Sequence, residues 1–141
     1  MNRLNDIRDL GLWIIKSIRA SITIYVIVSK NSIKVKNLKN GKTASGESQD
    51  KFSTDRLLLA DPIKAEDFAK ELIKEVAEST EIRTRKLKVI CQPLDDTLAD
   101  LSPAEKMIFN DFAYQIGGRH IYLIDDKHEL SNIELKEKNY A

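Results

Sequence analysis

The chain has 141 residues, 42% of them hydrophobic and 32% charged, and its 23 basic and 22 acidic residues give a net charge of +1. This length accommodates one domain with a substantial core. The balanced charge excludes a general electrostatic attraction to nucleic acid. A single cysteine, Cys91, excludes a disulfide within the chain and is typical of a reducing compartment.

Residues 1–20 have the pattern of neither a membrane span nor a secretory signal. Charged residues such as Asp6, Asp9, Lys16 and Arg19 interrupt their apolar positions, whereas a span needs roughly 18 consecutive apolar residues. The sequence therefore predicts a cytoplasmic location.

Residues 3–19 repeat apolar side chains at the spacing of one helix face. The apolar side of this predicted helix includes Leu4, Ile7, Trp13, Ile14 and Ile18. An amphipathic helix with basic flanks binds a membrane surface, which here would be the inner face of the cytoplasmic membrane. The alternative is a helix that packs on the domain's own sheet or on a partner subunit, and both interpretations stay open.

The period then changes from that of a helix to that of a strand. Residues 22–28 (ITIYVIV) are almost continuously apolar, which is typical of a central strand buried on both faces. Residues 33–37 alternate and predict a half-exposed second strand. Asn40-Gly41 is a strong hairpin signal, so a third strand is expected to begin within residues 42–45.

Lysines are dense in this hairpin. Lys30, Lys34 and Lys36 are candidates for contact with anions, such as phosphates or anionic lipid. The alternative is that they protect an edge strand from pairing with other sheets. Because no exposed aromatic side chains accompany them for base stacking, a nucleic-acid partner is not expected.

Helices and strands alternate in the rest of the chain. Asp61-Pro62 predicts a helix start, and Ser102 and Glu105 match a capping box that opens another helix. The predicted helices cover residues 62–79 and 103–116, the predicted strands cover 87–91 and 120–124, and a short charged helix is expected within 126–137. Residues 45–55 are predicted as a loop, and 56–60 are ambiguous between a strand and an extended lead-in.

In chain order these elements form a βββαβαβα unit that follows the N-terminal helix. Hairpin-joined strands followed by crossover helices predict an α/β fold with a mixed five-stranded sheet and flanking helices. The actin-like and ribonuclease H-like folds share this order. The predicted parts are the amphipathic helix (1–20), the domain (21–135) and a tail (136–141).

The stretch from Glu105 to Lys127 (EKMIFNDFAYQIGGRHIYLIDDK) resembles the segment ERRA…GA(R/K)…LIEEP of the MreB family of bacterial actin-like proteins. Cys91-Gln92-Pro93 is similar to the C-V-P that ends the preceding strand in that family. The resemblance extends over residues 20 to about 133. It implies a single actin-like subdomain of the IA type.

The nucleotide motifs of that family are absent from this chain. The family's first strand carries Asp-Leu-Gly-Thr, an acid for metal-bound water and a turn whose amides cradle phosphate. In the natural register Tyr25 stands in the place of the acid and Ile27 in the place of the glycine. Isoleucine adopts the backbone geometry of glycine only at a cost. This departure predicts no bound nucleotide and no cofactor.

The resemblance therefore implies a non-catalytic module that binds protein partners or copies of itself, in a role related to cell shape. Half of a two-lobed core is also expected to leave an uncovered apolar face that binds a partner. No catalytic residue and no metal site are predicted. His120 and His128 are too far in sequence from other ligands to indicate zinc, and Cys91 is interpreted as a small buried hydrophobe.

Other functions stay open as alternatives. A small carboxylate-dependent enzyme would bring Asp95, Asp96 and Asp125 together at the strand ends and raise a pKa among them. A regulatory domain of the anti-sigma-antagonist type would use Ser102 as a phosphorylated residue, although the same serine is expected to cap a helix. A ribonuclease H-like nuclease needs an acid on the first strand, and residues 22–28 contain none.

Overall fold

The computed structural model describes residues 22–78, 87–95 and 100–138. Within these ranges the strands are β1 (Ile22–Ser29), β2 (Ser32–Asn37), β3 (Thr43–Glu47), β4 (Leu87–Pro93) and β5 (Gly118–Leu123), and the helices are α1 (Pro62–Val76), α2 (Pro103–Gln115) and α3 (Asn132–Glu137). The helix predicted over residues 3–19 lies outside the described residues.

β1 is the central strand of a mixed, five-stranded sheet with the order β3-β2-β1-β4-β5. It pairs antiparallel with β2 and parallel with β4, and β4 pairs parallel with β5. Because strands flank it on both sides and other segments cover both faces, β1 is buried from Ile24 to Val28. The predicted α/β class and the mixed five-stranded sheet are confirmed.

β2 lies inside the sheet because β3 pairs along its outer side. The interpretation of the hairpin lysines as protection of an edge strand is therefore wrong for Lys34 and Lys36, which belong to β2. Within the described ranges, the edge on this side of the sheet is β3.

The turn between β1 and β2 also organises the loop that follows β3. Asn31 lies in this turn with a positive φ of 53°, a conformation that asparagine tolerates better than most residues. Its side-chain oxygen accepts hydrogen bonds from the backbone amides of Phe52 and Ser53, at 2.9 and 2.8 Å. The Ser53 hydroxyl in turn donates to the Leu58 carbonyl at 2.6 Å. These local bonds explain why residues 56–60 form a turn and not a strand.

α1 and α2 cover one face of the sheet and begin as the sequence predicts. Asp61 caps α1 by accepting a hydrogen bond from the Lys64 amide at 3.2 Å, and Ser102 and Glu105 form the predicted capping box of α2. α1 ends at Val76, before the predicted residue 79. The buried stripes of the two helices are Ala65, Ala69, Leu72, Ile73 and Val76 in α1, and Phe109, Phe112 and Ala113 in α2.

The second face of the sheet is covered by residues 124–138, which we call the C-terminal strap. The strap leaves the end of β5 and crosses the sheet to the level of β2, where Lys34 contacts Glu129. The apolar cluster beneath it comprises Tyr25, Ile27, Ile90, Ile124, Leu130 and Leu135. The expectation of an uncovered apolar face is therefore wrong, because the chain supplies its own cover.

The first residue of β5, Gly118, has no room for a side chain. A Cβ atom there would lie 2.7 Å from the backbone oxygen of Ala113 and 3.1 Å from the Val89 side chain. We expect Gly118→Ala to lower the free energy of unfolding by about 1–3 kcal/mol, because the end of α2 has to move. Equilibrium denaturation in urea measures the change.

Gly46→Ala is the matched control for this substitution. A Cβ atom at Gly46 would make an ordinary contact, 3.5 Å from Phe68. We expect the free energy of unfolding of the control to lie within about 0.5 kcal/mol of that of the unmodified chain. Equal losses in the two variants would contradict the packing argument.

Candidate functional site

The parallel strands β1, β4 and β5 end at the same edge of the sheet, which is where sheets of this kind bind ligands. Their last residues are Ser29, Pro93 and Leu123. Tyr25 and Ile27, which the resemblance puts in the places of an acid and a glycine, belong to the apolar cluster beneath the C-terminal strap. The candidate site is therefore the space beneath the strap.

Tyr25 lies at the centre of a buried polar network in this space. Its hydroxyl donates a hydrogen bond to Gln92 Oε1 and accepts one from the backbone amide of Leu130 at 3.0 Å. The Tyr25 side chain is 2% exposed and that of Gln92 is 0% exposed. A single phenol thus connects β1, β4 and the strap.

Gln92 extends the network to the first part of the strap. Its Nε2 atom donates hydrogen bonds to the carbonyl oxygens of Asp126 and His128, at 2.9 and 2.8 Å. The side-chain amide therefore uses its oxygen and both of its hydrogens. Throughout residues 22–78, 87–95 and 100–138, no buried side-chain nitrogen or oxygen lacks a partner. Because an unpaired buried polar group costs about 1–3 kcal/mol, the network stabilises the fold only when complete.

Exposed side chains hold the outer rim of the strap. Lys34 forms an ion pair with Glu129 at 2.8 Å, and Lys36 Nζ donates to Asn132 Oδ1 at 2.8 Å. Such solvent-exposed contacts contribute little to stability individually. They show that both lysines are directed to the strap. The anion contact expected of these residues stays a prediction.

Two further exposed pairs perturb the pKa values of their partners. Lys30 and Asp55 lie 2.7 Å apart, and their hydrogen bond raises the pKa of Lys30 and lowers that of Asp55. In the strap, His128 and Glu134 lie 3.0 Å apart. The hydrogen bond from His128 holds the pKa of Glu134 below its ordinary value.

The described acidic residues that follow β5 lie in different surroundings. Asp125 is exposed, and Asp126 pairs with Lys138 at 2.7 Å. Asp96 lies outside the described residues. Over those residues, no group of three or more His, Cys, Asp or Glu could hold a metal ion. The geometry gives the small-enzyme alternative no support.

Cys91, Ser102 and Glu105 have the structural roles that the sequence predicts. Cys91 is 0% exposed in the main core, and burial raises the pKa of its thiol to about 12. The thiol is therefore protonated at neutral pH and is not an activated nucleophile. Ser102 and Glu105 are occupied by the cap of α2, with hydrogen bonds of 3.2 and 3.3 Å.

The order of the strands and the flanking helices define an actin-like α/β fold. Among solved structures, the chain is similar to MreB5 of Spiroplasma citri bound to ADP, with a TM-score of 0.54 and 9% identity over 74% of this chain. It spans 38% of the length of that protein. At this identity the likeness shows the fold alone, and the predicted fold is confirmed.

A second similar structure is the ethanolamine utilization protein EutJ of Carboxydothermus hydrogenoformans, with a TM-score of 0.47 and 13% identity. The match covers 74% of this chain and 36% of EutJ. No family model matches the chain, and no curated protein matches its sequence.

The predicted contacts of the N-terminal helix stay predictions. Leu4, Ile7, Trp13, Ile14 and Ile18 precede the first described residue, Ile22. Of the helices that the structure describes, none is long and apolar enough to cross a membrane.

Tyr25→Phe removes the hydroxyl from the centre of the network. The Leu130 amide and the Gln92 oxygen then lose a buried partner, so we expect the free energy of unfolding to fall by about 1–3 kcal/mol. Tyr114→Phe is the matched control, because Tyr114 is 53% exposed and its ring contact with Arg119 survives the change. Urea denaturation compares the variants. If Tyr25→Phe left the free energy of unfolding unchanged, the role of the network would be contradicted.

The same hydroxyl predicts a loss of stability at high pH. Burial raises the pKa of Tyr25 from its ordinary 10.0 to about 12. The unfolded state ionises first, so this contribution to stability is complete below about pH 10 and is lost as the pH rises towards 12. We expect the unfolding free energy of the unmodified chain to fall more steeply over this range than that of Tyr25→Phe. If the unfolding free energies of the two chains changed in parallel with pH, the phenol would not be buried in its neutral form.

Proposed function

We propose that this chain is a non-catalytic module with an actin-like fold that binds protein partners and copies of itself. In this proposal the chain works in the cytoplasm in a role related to cell shape. Residues 3–19 tether it to the inner face of the cytoplasmic membrane.

The non-catalytic part of the proposal depends on how Tyr25 and Ile27 are used. The Tyr25 hydroxyl is used by Gln92 and Leu130 within the fold. Ile27 is 5% exposed and packs in the cluster beneath the strap. An acid and a glycine at these positions would open this cluster. This use of the two positions supports a chain that holds no metal-bound nucleotide there.

MreB5 of Spiroplasma citri is bound to ADP, and we propose that this property does not extend to the present chain. In this chain the strap crosses the second face, and two of its backbone carbonyls accept hydrogen bonds from the Gln92 side-chain amide. A ligand beneath the strap would have to displace these bonds. Such displacement leaves buried polar groups unpaired, which is costly.

The binding part of the proposal is supported by side chains on the outer surface. Ile63 at the start of α1 is 69% exposed, and Met107 in α2 is 71% exposed. Both helices lie on the same face of the sheet, so these apolar groups are available to a partner on that side. Exposed methionine suits binding surfaces because its side chain adapts to different shapes.

Titration with a fluorescent ATP analogue tests the non-catalytic proposal. We expect no saturable, magnesium-dependent binding up to about 1 mM, since β1 (Ile22–Ser29) contains neither an acid nor a glycine. Weak binding through exposed lysines would not require magnesium, and it would weaken in the double variant Lys34→Ala, Lys36→Ala. Micromolar binding that requires magnesium would overturn the proposal.

Co-sedimentation with anionic lipid vesicles tests the membrane tether. We expect the full chain to sediment with vesicles, and both Trp13→Glu and a chain lacking residues 1–19 to stay in solution, because the apolar face of the helix drives insertion. Tyr114→Phe lies outside both the helix and the hairpin lysines, so it is the control and should sediment like the full chain. Equal behaviour of the full and shortened chains would remove the membrane tether.

A further inference from the structure

We propose that two copies of this chain associate by antiparallel pairing of their β3 strands, which joins the two sheets across a two-fold axis. This inference rests on the proposed self-association and names the surface that carries it. The edge of β3 is the backbone of Thr43–Glu47 on the side away from β2.

The hydrogen bonds of the β2–β3 ladder identify which backbone groups of β3 point outwards. The Asn37 amide donates to the Lys42 carbonyl, and the Ser48 amide donates to the Asn31 carbonyl, at 2.9 and 2.8 Å. These bonds join directly opposed residues, and in an antiparallel ladder every second pair is bonded in this way. The amides and carbonyls of Ala44 and Gly46 therefore face β2. Those of Thr43, Ser45 and Glu47 face away from it.

β3 has few of the features that natural sheets use to block a free edge, and its one charged residue, Glu47, is the last of the strand. Thr43, Ala44, Ser45 and Gly46 are small and uncharged, so no side chain obstructs an incoming strand. Charged residues, proline and bulges normally prevent edge pairing. Over the described ranges, β3 has a strand neighbour on one side only.

The opposite edge of the same sheet shows how this chain protects a strand. β5 carries Arg119 and His120 as exposed residues, and its pairing with β4 is irregular between Leu87 and Lys88. Tyr122 and Lys88 form a cation–π contact with 5.8 Å between the ammonium nitrogen and the ring centre. The contrast between the two edges assigns the association to β3.

The outward groups also determine the register of the pair. A two-fold axis perpendicular to the sheet places residues of the same face opposite one another. With Ser45 on the axis, Thr43 lies opposite Glu47 of the second copy, and all of the outward amides and carbonyls of the strand can be paired. This is the register with the longest overlap of β3.

Charges on the second face complement this register. Thr43 pairs with Lys36 in the β2–β3 ladder, and the Lys36 ammonium contacts the neutral Asn132 amide oxygen. Glu47 of the second copy would lie beside Thr43, and its side chain can extend over this small residue towards Lys36. Glu47 itself is exposed, so it is free to make this approach.

The helical layer is compatible with the joined sheet. Phe68 of α1 lies above β3, 3.5 Å from the position of a Cβ atom on Gly46. Neighbouring strands are about 4.8 Å apart, so α1 helices above the β2–β3 strands of two copies would lie about 10 Å apart, the distance of packed helices. The joined sheet would thus continue in a joined helix layer.

Substitution of Ser45 by proline tests the pairing. Ser45→Pro removes an outward amide, and leaves the bonds to β2 intact, because proline is tolerated at an outward position of an edge strand. Ser45→Ala is the matched control, since it removes the hydroxyl and keeps the amide. We expect sedimentation equilibrium to show dimers of the unmodified chain and of Ser45→Ala, and a dissociation constant about tenfold higher or more for Ser45→Pro.

Cysteine cross-linking provides a second measurement that does not depend on proline. On the two-fold axis, Ser45→Cys lies opposite itself at a Cα separation of about 5.5 Å, within reach of a disulfide. We expect mild oxidation to cross-link this variant, while Arg119→Cys on β5 forms no covalent cross-link. Cys91 is buried and does not contribute.

The outcomes separate this inference from the proposed function. Dimers that persist in Ser45→Pro and cross-link through Arg119→Cys would overturn the β3 interface and leave self-association standing. An unmodified chain that is monomeric at all concentrations, with no cross-link at position 45, would overturn both. Loss of dimers in Ser45→Pro together with a cross-link at position 45 would support the interface.

Discussion

The buried hydrogen bond between Tyr25 and Gln92 is the constraint on which the cluster beneath the strap depends. The parallel pairing of β1 and β4 sets the two side chains on neighbouring strands, with Tyr25 opposite Ile90. A glutamine that is 0% exposed needs partners for all of its polar atoms. The strap provides two carbonyls and the phenol provides the remaining donor. The path of the strap is therefore determined by a polar requirement as much as by its apolar side chains.

The same contact changes how the missing nucleotide motif is understood. In the sequence, Tyr25 and Ile27 are only departures from a family pattern. In the fold they are components of a core that the strap closes, so each departure has a structural use. A tyrosine at position 25 offers no carboxylate to a metal ion, and its hydroxyl satisfies Gln92 and Leu130. This is the physical basis for the proposal that the chain binds partners without nucleotide chemistry.

Much of the fold could be predicted because local signals coincide with it. The apolar run of β1, the capping box of Ser102 and Glu105 and the proline at the start of α1 each specify an element without reference to distant residues. The strap could not be predicted in this way, because Gln92 and Tyr25 are far apart in the sequence and only the parallel pairing of β1 and β4 unites them. A second capping box, at Ser131 and Glu134, was a signal for α3 that the sequence did contain. The position of β2 inside the sheet was missed because alternating lysines are equally typical of an edge.

In the part of the chain that the structure describes, closure of the second face limits the ways in which it can associate. One face is covered by α1 and α2 and the other by the strap, so the main apolar surfaces are already used. What the fold leaves available is backbone at the ends of the sheet and scattered apolar side chains on the helices. Backbone pairing specifies direction and register without needing a large apolar area. An actin-like unit whose second face is covered by its own strap is therefore expected to associate through a strand edge. Between the two edges of the sheet, the small, uncharged residues Thr43–Gly46 of β3 present the lower barrier.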